Sequence, residues 1–92
     1  AAWRHLVDER LPARAESEMG WPVQHNHCFA RILLDNAHGQ PWRQVTKPPA
    51  WRHTPIPILR AAISLGEDIL SGHGDIHALN HNSLRLRGKL KL

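Results

Sequence analysis

The stretch WPVQHNHCFARILLDNAHG, from Trp21 to Gly39, decides the fold predicted for this chain. At about 100° per residue, one side of it collects apolar side chains: Val23, Ala30, Leu33, Leu34 and Ala37, with Phe29 and Ile32 on the flank. Pro22 suits the first turn of a helix, and Gly39 suits the residue just past its end. The unbroken run Ile32-Leu33-Leu34 argues against the alternation of a strand. The pattern therefore predicts a mostly buried helix over residues 22–38 with one polar stripe.

The polar stripe consists of side chains spaced three and four residues apart: Gln24, Cys28, Arg31, Asp35 and His38. In one interpretation it lines a pocket and is catalytic, with Cys28 as nucleophile, Arg31 as anion clamp, and Asp35 and His38 as an acid/base pair. In the other, Arg31 and Asp35 form an ordinary helix ion pair of ~0.2–0.5 kcal/mol, and Cys28 is a small buried hydrophobe. The second interpretation is the simpler one, and the sequence leaves both open.

Histidines raise the question of a metal site. His25 and His27 are two residues apart, so on a helix they would point away from each other, which leaves too few ligands for zinc beside Cys28. His77 and His81 are four apart and could form half of a transition-metal site completed by the polar stripe. The alternative is a solvated polar face, and we predict no cofactor beyond that weak metal possibility.

A second helix is predicted over residues 55–71, with Thr54 as its N-cap, Pro55 at its first position and Gly72 after its end. Its broad apolar face comprises Ile58, Leu59, Ala62, Ile63, Leu65, Gly66, Ile69 and Leu70. Because a glycine inside a helix costs ~1 kcal/mol, Gly66 is expected to mark a close helix crossing.

The two ends of the chain are also predicted to be helical. Residues 2–10 form one amphipathic piece, Leu11-Pro12 interrupts it, and a second short helix runs through Met19 to Gly20. Asp75 can cap a last helix that runs from residue 76 to about residue 87, ended by Gly88. The tail over 88–92 is expected to fray or to pair with a partner.

The segment QPWRQVTKPPAWRH, residues 40–53, has no helical period, and Pro48-Pro49 forbids a continuous helix. An arginine directly follows a tryptophan at Trp42-Arg43 and again at Trp51-Arg52. Flat aromatic surface beside guanidinium suits single-stranded bases or a ligand's phosphate. The simpler interpretation is that both tryptophans pin a long loop to the core.

Composition limits the class of protein. The chain has 92 residues, 41% of them hydrophobic, which fits one small domain with a modest core. Its single cysteine excludes an internal disulfide, and no apolar run approaches the ~18 residues of a membrane span. The N-terminal residues include acids (Asp8, Glu9, Glu16) and do not resemble a targeting peptide. We therefore expect a cytoplasmic or nuclear protein with no membrane partner.

Basic residues exceed acidic ones by 12 to 8 and are unevenly placed. No acidic residue lies between Asp35 and Glu67, and none lies in the final RLRGKLKL. Such acid-free basic segments favour polyanions, although solubility and the helix dipole also explain positive charge at a helix end. The candidate polyanion-binding residues are Arg43, Lys47, Arg52, Arg85, Arg87, Lys89 and Lys91.

The sequence thus predicts a single all-α domain over 1–92, an orthogonal bundle of four to five helices with the Trp/Pro-containing loop across one end. No glycine-rich phosphate loop, nucleophile elbow or nucleotide-binding fingerprint is present. Three functions stay open. The first is a basic module that contacts nucleic acid or another polyanion. The others are a small enzyme or ligand-binding protein that uses the polar stripe, and a non-catalytic subunit that binds a protein partner.

Overall fold

The central helix, Asn26–His38, makes its most extensive contacts with the long helix, Ile56–Ser71, in the computed structural model, which describes residues 2–90. The last helix, Ile76–Leu86, packs against another side of the central helix. Fully buried Phe29, Ile32, Leu33 and Leu34 of the central helix lie in the middle of the core. The described range contains helices and turns but no strand, so the predicted all-α class is confirmed.

The central helix begins later than predicted. His25 is its N-cap, in extended conformation, and Asn26 is its first residue, so the start expected at Pro22 is wrong. Trp21 explains the difference, because its ring lies 5.9 Å from that of Phe29, edge to face. Residues eight apart in one helix would be separated by ~12 Å along the axis. The chain therefore folds back before the helix starts, and the helix ends as predicted at Gly39, with φ of 74°.

The N-terminal helix does not break at Pro12. Three segments run end to end: α-helical Ala2–His5, π-helical Leu6–Arg10 and α-helical Leu11–Ser17. Proline lacks an N–H, and its ring crowds the carbonyl four residues earlier. The wider π turn, in which the Leu11 N–H donates to the Leu6 carbonyl, accommodates Pro12 without ending the helix. The predicted interruption is thus a local widening. The last segment ends at Ser17 and not at Met19 as predicted, because Glu18 is already extended.

The segment between the central and long helices contains a 3-10 turn, Trp42–Gln44, and one α-helical turn, Ala50–His53. Trp42 is buried, as expected of a residue that pins this segment to the core. Trp51 is 46% exposed, so the same expectation is wrong for the second tryptophan.

The long helix begins at Ile56 with Pro55 as its N-cap, and no side chain caps it. Thr54 is therefore not the predicted cap. Its N–H instead closes the preceding turn by donating to the Ala50 carbonyl at 2.9 Å. A Cβ at Gly66 would lie 2.6 Å from Cδ2 of Leu6 and 3.1 Å from Cδ1 of Leu33, which confirms the close crossing.

The last helix is capped as predicted, since Asp75 Oδ1 accepts a hydrogen bond from the Ala78 N–H at 3.1 Å. It ends at Leu86, and Gly88 follows with φ of 68°. The Lys89 N–H donates to the Leu84 carbonyl at 2.9 Å, which ties the first part of the tail to the helix end. The rest of the predicted frayed tail, residues 91–92, lies outside the described residues. Between residues 2 and 90, no helix is both long and apolar enough to cross a membrane.

Candidate polyanion-binding surface

The side chain of Asp35, on the central helix, faces the last helix and is fully buried. Oδ1 accepts hydrogen bonds from the Trp42 N–H at 2.9 Å and from Arg87 Nη2 at 3.0 Å. Oδ2 accepts from the Ser83 hydroxyl at 2.7 Å and from Arg87 Nε at 2.5 Å. One carboxylate therefore joins the central helix, the turn at Trp42 and the end of the last helix, and we call this set of contacts the Asp35 joint.

Other polar side chains extend this contact along the two helices. Arg31 donates to Ser83 Oγ at 2.8 Å and to Asn80 Oδ1 at 2.7 Å. Asn36 donates to the Leu79 carbonyl at 2.9 Å and accepts from the Asn82 amide at 2.9 Å. We call this group the polar seam: Arg31, Asp35, Asn36, Asn80, Asn82, Ser83 and Arg87. Its hydrogen bonds add to the apolar contacts of Ile76 and Leu79 that attach the last helix to the core.

The four residues of the predicted catalytic stripe do not meet at one concavity. Arg31 and Asp35 face the last helix, and within residues 2–90 they form no ion pair with each other. His38 lies near Thr46 Oγ1, 3.4 Å from Nε2, and Cys28 is a half-buried free thiol. Partial burial lowers the pKa of His38, and the nearby Asp35 charge only partly opposes this. The clefts described below are lined by none of the four.

The spacing of the last helix carries a signal that sequence reasoning missed. Asn80, Ser83 and Arg87 follow each other at intervals of three and four residues, so they form one polar face. Arg31 and Asp35 on the central helix are also four residues apart, so their spacing matches that of Ser83 and Arg87. The two polar faces cover each other, which neither interpretation of the stripe had included.

Arg87, a member of the predicted polyanion-binding set, is committed to Asp35. The hydrogen bonds that Arg87 donates to the Asp35 carboxylate, together with the charge of that carboxylate, raise the pKa of Arg87 above its ordinary value despite partial burial. Its side chain is 24% exposed. Arg87 therefore stabilises the fold, and its charge, which is neutralised by Asp35, contributes little to binding an anionic ligand.

The Asp35 joint brings together two basic segments that are far apart in the sequence. Trp42, which begins the first segment, and Arg87, which lies in the second, bind the same carboxylate. We call the exposed cations of the two segments the basic surface: Arg43, Lys47, Arg52, Arg85 and Lys89. Within residues 2–90 none of them forms an ion pair with a carboxylate. Lys91, the remaining predicted member, lies outside the described residues.

A cleft of about 360 Å³ adjoins the basic surface, between the N-terminal helix and the turns at 42–51. We call it the tryptophan cleft, because Trp42 and Trp51 line it together with Arg4 and Arg43. The Arg43 guanidinium lies 5.2 Å from the ring centre of Trp42, and that of Arg4 lies 5.6 Å from the ring centre of Trp51. The sequence set an arginine beside each tryptophan. Trp42 does contact its neighbour Arg43, whereas the guanidinium over Trp51 is that of Arg4 and not that of Arg52.

A larger cleft, of about 540 Å³, lies between the N-terminal and long helices, but its arginines are already engaged. Arg10 is paired with Glu67, and this hydrogen bond lowers the pKa of Glu67 and raises that of Arg10. Arg14 donates to the Leu70 carbonyl at 3.2 Å. The larger cleft is therefore a poorer candidate for an anionic ligand than the basic surface.

The predicted metal ligands His77 and His81 are exposed on the last helix. No group of three potential His, Cys, Asp or Glu ligands occurs in the described part of the chain, so the structure adds no third ligand to this pair. His25 and His27 stack in parallel with ring centres 5.7 Å apart, contrary to the expectation that they diverge. The reason is that His25 precedes the helix, so helical spacing does not apply to it.

Comparisons with protein families, with curated proteins and with solved structures found no match to this chain. Arguments about its function therefore rest on the geometry and charge of its own residues.

Proposed function

We propose that this chain is a small nucleic-acid-binding module that holds phosphates through the basic surface. The observation that carries the proposal is the Asp35 joint, where the Trp42 N–H and Arg87 bind one buried carboxylate and so bring together the two segments that carry the exposed cations, residues 43–52 and 85–89. Cations that are not already paired with carboxylates can replace the counterions condensed on a phosphate backbone. The formal net charge of +4 favours the approach of any polyanion.

The contact between Arg43 and Trp42 supports the same function. Trp42 is buried, so its ring is a fixed platform, and the guanidinium 5.2 Å from its centre is restrained while the residue stays exposed. A restrained arginine loses less conformational freedom when it binds phosphate, and its planar fork suits phosphate oxygens. Arg43 is therefore expected to contribute more to binding than Lys47.

The catalytic alternative has less support from the geometry. The carboxylate oxygens of Asp35 already accept four hydrogen bonds, and Arg31 donates to two partners on the last helix. These groups are engaged in holding helices together. A polyanion-binding role uses the side chains that the fold leaves exposed.

The salt dependence of binding tests the proposal. We expect a fluorescent oligonucleotide to bind with log K falling linearly against log salt, with a slope near −0.7 per neutralised phosphate for a single strand, which is about −2 to −3.5 for three to five contacts. The triple variant Arg43→Ala, Lys47→Ala, Arg52→Ala should reduce the magnitude of the slope by about 2. Arg60→Ala, which removes an exposed arginine of the long helix, is the matched control and should leave the slope nearly unchanged. Binding that ignores salt, or an equal effect of Arg60→Ala, would refute the proposal.

A further inference from the structure

We propose that the tryptophan cleft is a base-stacking subsite for single-stranded nucleic acid, with Trp51 as the stacking platform. This inference rests on the proposed function, because it gives the basic surface a preference for one form of nucleic acid. The observation behind it is an exposed aromatic ring in a cleft that two arginines also line, one of them 5.6 Å from the centre of that ring.

Trp51 is positioned for stacking. It is 46% exposed, although a tryptophan in so small a domain has apolar neighbours available to bury it. The Arg4 guanidinium, from the N-terminal helix, lies 5.6 Å from its ring centre and restrains the ring. A restrained, exposed indole is the group on which a base stacks whatever its identity, because every base has a π-face.

The charges at the cleft suit the backbone that carries a base. Arg4 and Arg43 line the cleft, and neither forms an ion pair with a carboxylate within residues 2–90. Asp8, which also lines the cleft, accepts a hydrogen bond from the Asn26 amide at 3.1 Å. Its carboxylate would repel a phosphate placed beside it but can accept a hydrogen bond from an N–H group on a base edge, such as N3–H of thymine. The arrangement puts phosphates toward the arginines and a base edge toward Asp8.

The shape of the cleft selects single strands. Its volume of about 360 Å³ is at the small end of ligand pockets and suits a single base. In a duplex the bases are already stacked and paired, so their faces cannot reach the Trp51 ring. Because Arg43 belongs to both the cleft and the basic surface, a strand that crosses the basic surface can place one base in the cleft.

The test compares a fluorescein-labelled thymidine 20-mer with a labelled 20-base-pair duplex at about 100 mM salt. Trp51→Leu keeps an apolar side chain but removes the ring, and we expect it to weaken binding of the single strand by roughly tenfold. The duplex affinity should change less than twofold. Trp51→Phe retains a ring and should restore most of the single-strand affinity. Arg4→Ala, which leaves Trp51 in place, should also weaken the single strand more than the duplex.

Each outcome separates the subsite from the proposed function. If both nucleic acids bind with a steep salt slope and Trp51→Leu weakens neither, or weakens both equally, the subsite is refuted and the binding module stands. If the wild-type protein binds neither probe, both proposals are overturned. Urea unfolding of each variant shows whether a loss of affinity comes from a loss of folding. If Trp51→Leu proves unstable, Arg4→Ala still tests the subsite.

Discussion

Asp35 is a fully buried carboxylate in a small domain, and its burial requires compensation. An isolated ion removed from water loses many kcal/mol of hydration, whereas a paired and hydrogen-bonded ion recovers most of it. Here Arg87 binds both carboxylate oxygens, and a hydroxyl and a backbone N–H complete the set. The pair therefore fixes which surface of the last helix meets the core.

Replacing Asp35 with alanine should lower the free energy of unfolding by about 3 kcal/mol, because Ser83 and the Trp42 N–H lose an acceptor and Arg87 loses its partner. The figure is at the low end for a broken buried pair, since Arg87 is partly exposed. Urea unfolding at pH 7 followed by circular dichroism measures the change.

Arg85→Ala is the matched control for Asp35→Ala. Arg85 is exposed and its described side-chain hydrogen bonds go only to Asn82, so its loss should change stability by less than about 0.5 kcal/mol. Should Asp35→Ala remain within about 1 kcal/mol of the wild type, the Asp35 joint does not hold the last helix.

His38 predicts a dependence of stability on pH. Burial lowers its pKa in the folded protein below the ordinary value near 6.5, so the folded state favours neutral imidazole. The unfolded chain then takes up protons first, and stability present above pH 6.5 is lost progressively as the pH falls below it toward the folded pKa. We expect His38→Asn to lose less stability than the wild type between pH 8 and pH 5. Urea unfolding midpoints of both proteins from pH 8 to pH 5 test this. The difference between the two proteins at pH 8 measures the packing that the substitution itself removes, and it is subtracted at lower pH. An equal or steeper loss in His38→Asn would contradict it.

For single residues, the sequence predicted which polar side chains share a face of the central helix but not which partners they bind. Residue spacing defines the face of a helix, whereas the element that covers that face depends on tertiary packing. Asp35 and Arg87 are 52 positions apart, and many arginines could have met that carboxylate. Cys28 is a half-buried free thiol. A thiol can be buried without a polar partner, so the sequence pattern could not predict what surrounds it.

Among the helices, Gly66 lies at a close crossing, and a Gly66→Ala change there has two opposing effects on stability. Alanine would favour the helix by ~1 kcal/mol. Its Cβ would, however, meet Cδ2 of buried Leu6 at 2.6 Å, and overpacking costs about 1–3 kcal/mol. We expect Gly66→Ala to destabilise the protein by about 1 kcal/mol, measured by urea unfolding.

A second variant identifies the cause. In a Leu6→Val background, the shorter side chain leaves room, so the same Gly66→Ala change should become neutral or stabilising. If Gly66→Ala stabilises the wild-type protein by about 1 kcal/mol, the helices do not cross as tightly as described.

Helix ends were predicted best where one residue determines them locally. Gly39, Gly72 and Gly88 all have positive φ, which glycine adopts at little cost, and Asp75 forms its cap with a backbone N–H three residues away. Helix starts marked by proline were less reliable. Pro22 is compatible with a first turn but does not require one, and the packing of Trp21 decided where the helix begins.

For the whole molecule, the sequence predicted the excess of positive charge but not how the charged side chains are arranged on the folded surface. The two acid-free basic segments are visible in the sequence, yet their meeting at Asp35 depends on how the last helix crosses the core. The described acids that form ion pairs with arginine are Glu18, Asp35 and Glu67, and none belongs to either basic segment. Positive charge is thus left exposed on both segments.

A ligand that bridges the two segments should stabilise the whole fold, because it binds the native arrangement and not the unfolded chain. At a free oligonucleotide concentration of a hundred times Kd, we expect the free energy of unfolding to rise by about 2.7 kcal/mol. Thermal unfolding of the wild type with and without oligonucleotide, at low and physiological salt, measures the gain and its loss with screening. The triple variant Arg43→Ala, Lys47→Ala, Arg52→Ala should show a much smaller gain at the same ligand concentration. An unchanged or lowered midpoint for the wild type under saturating ligand would mean that the oligonucleotide does not recognise the folded surface.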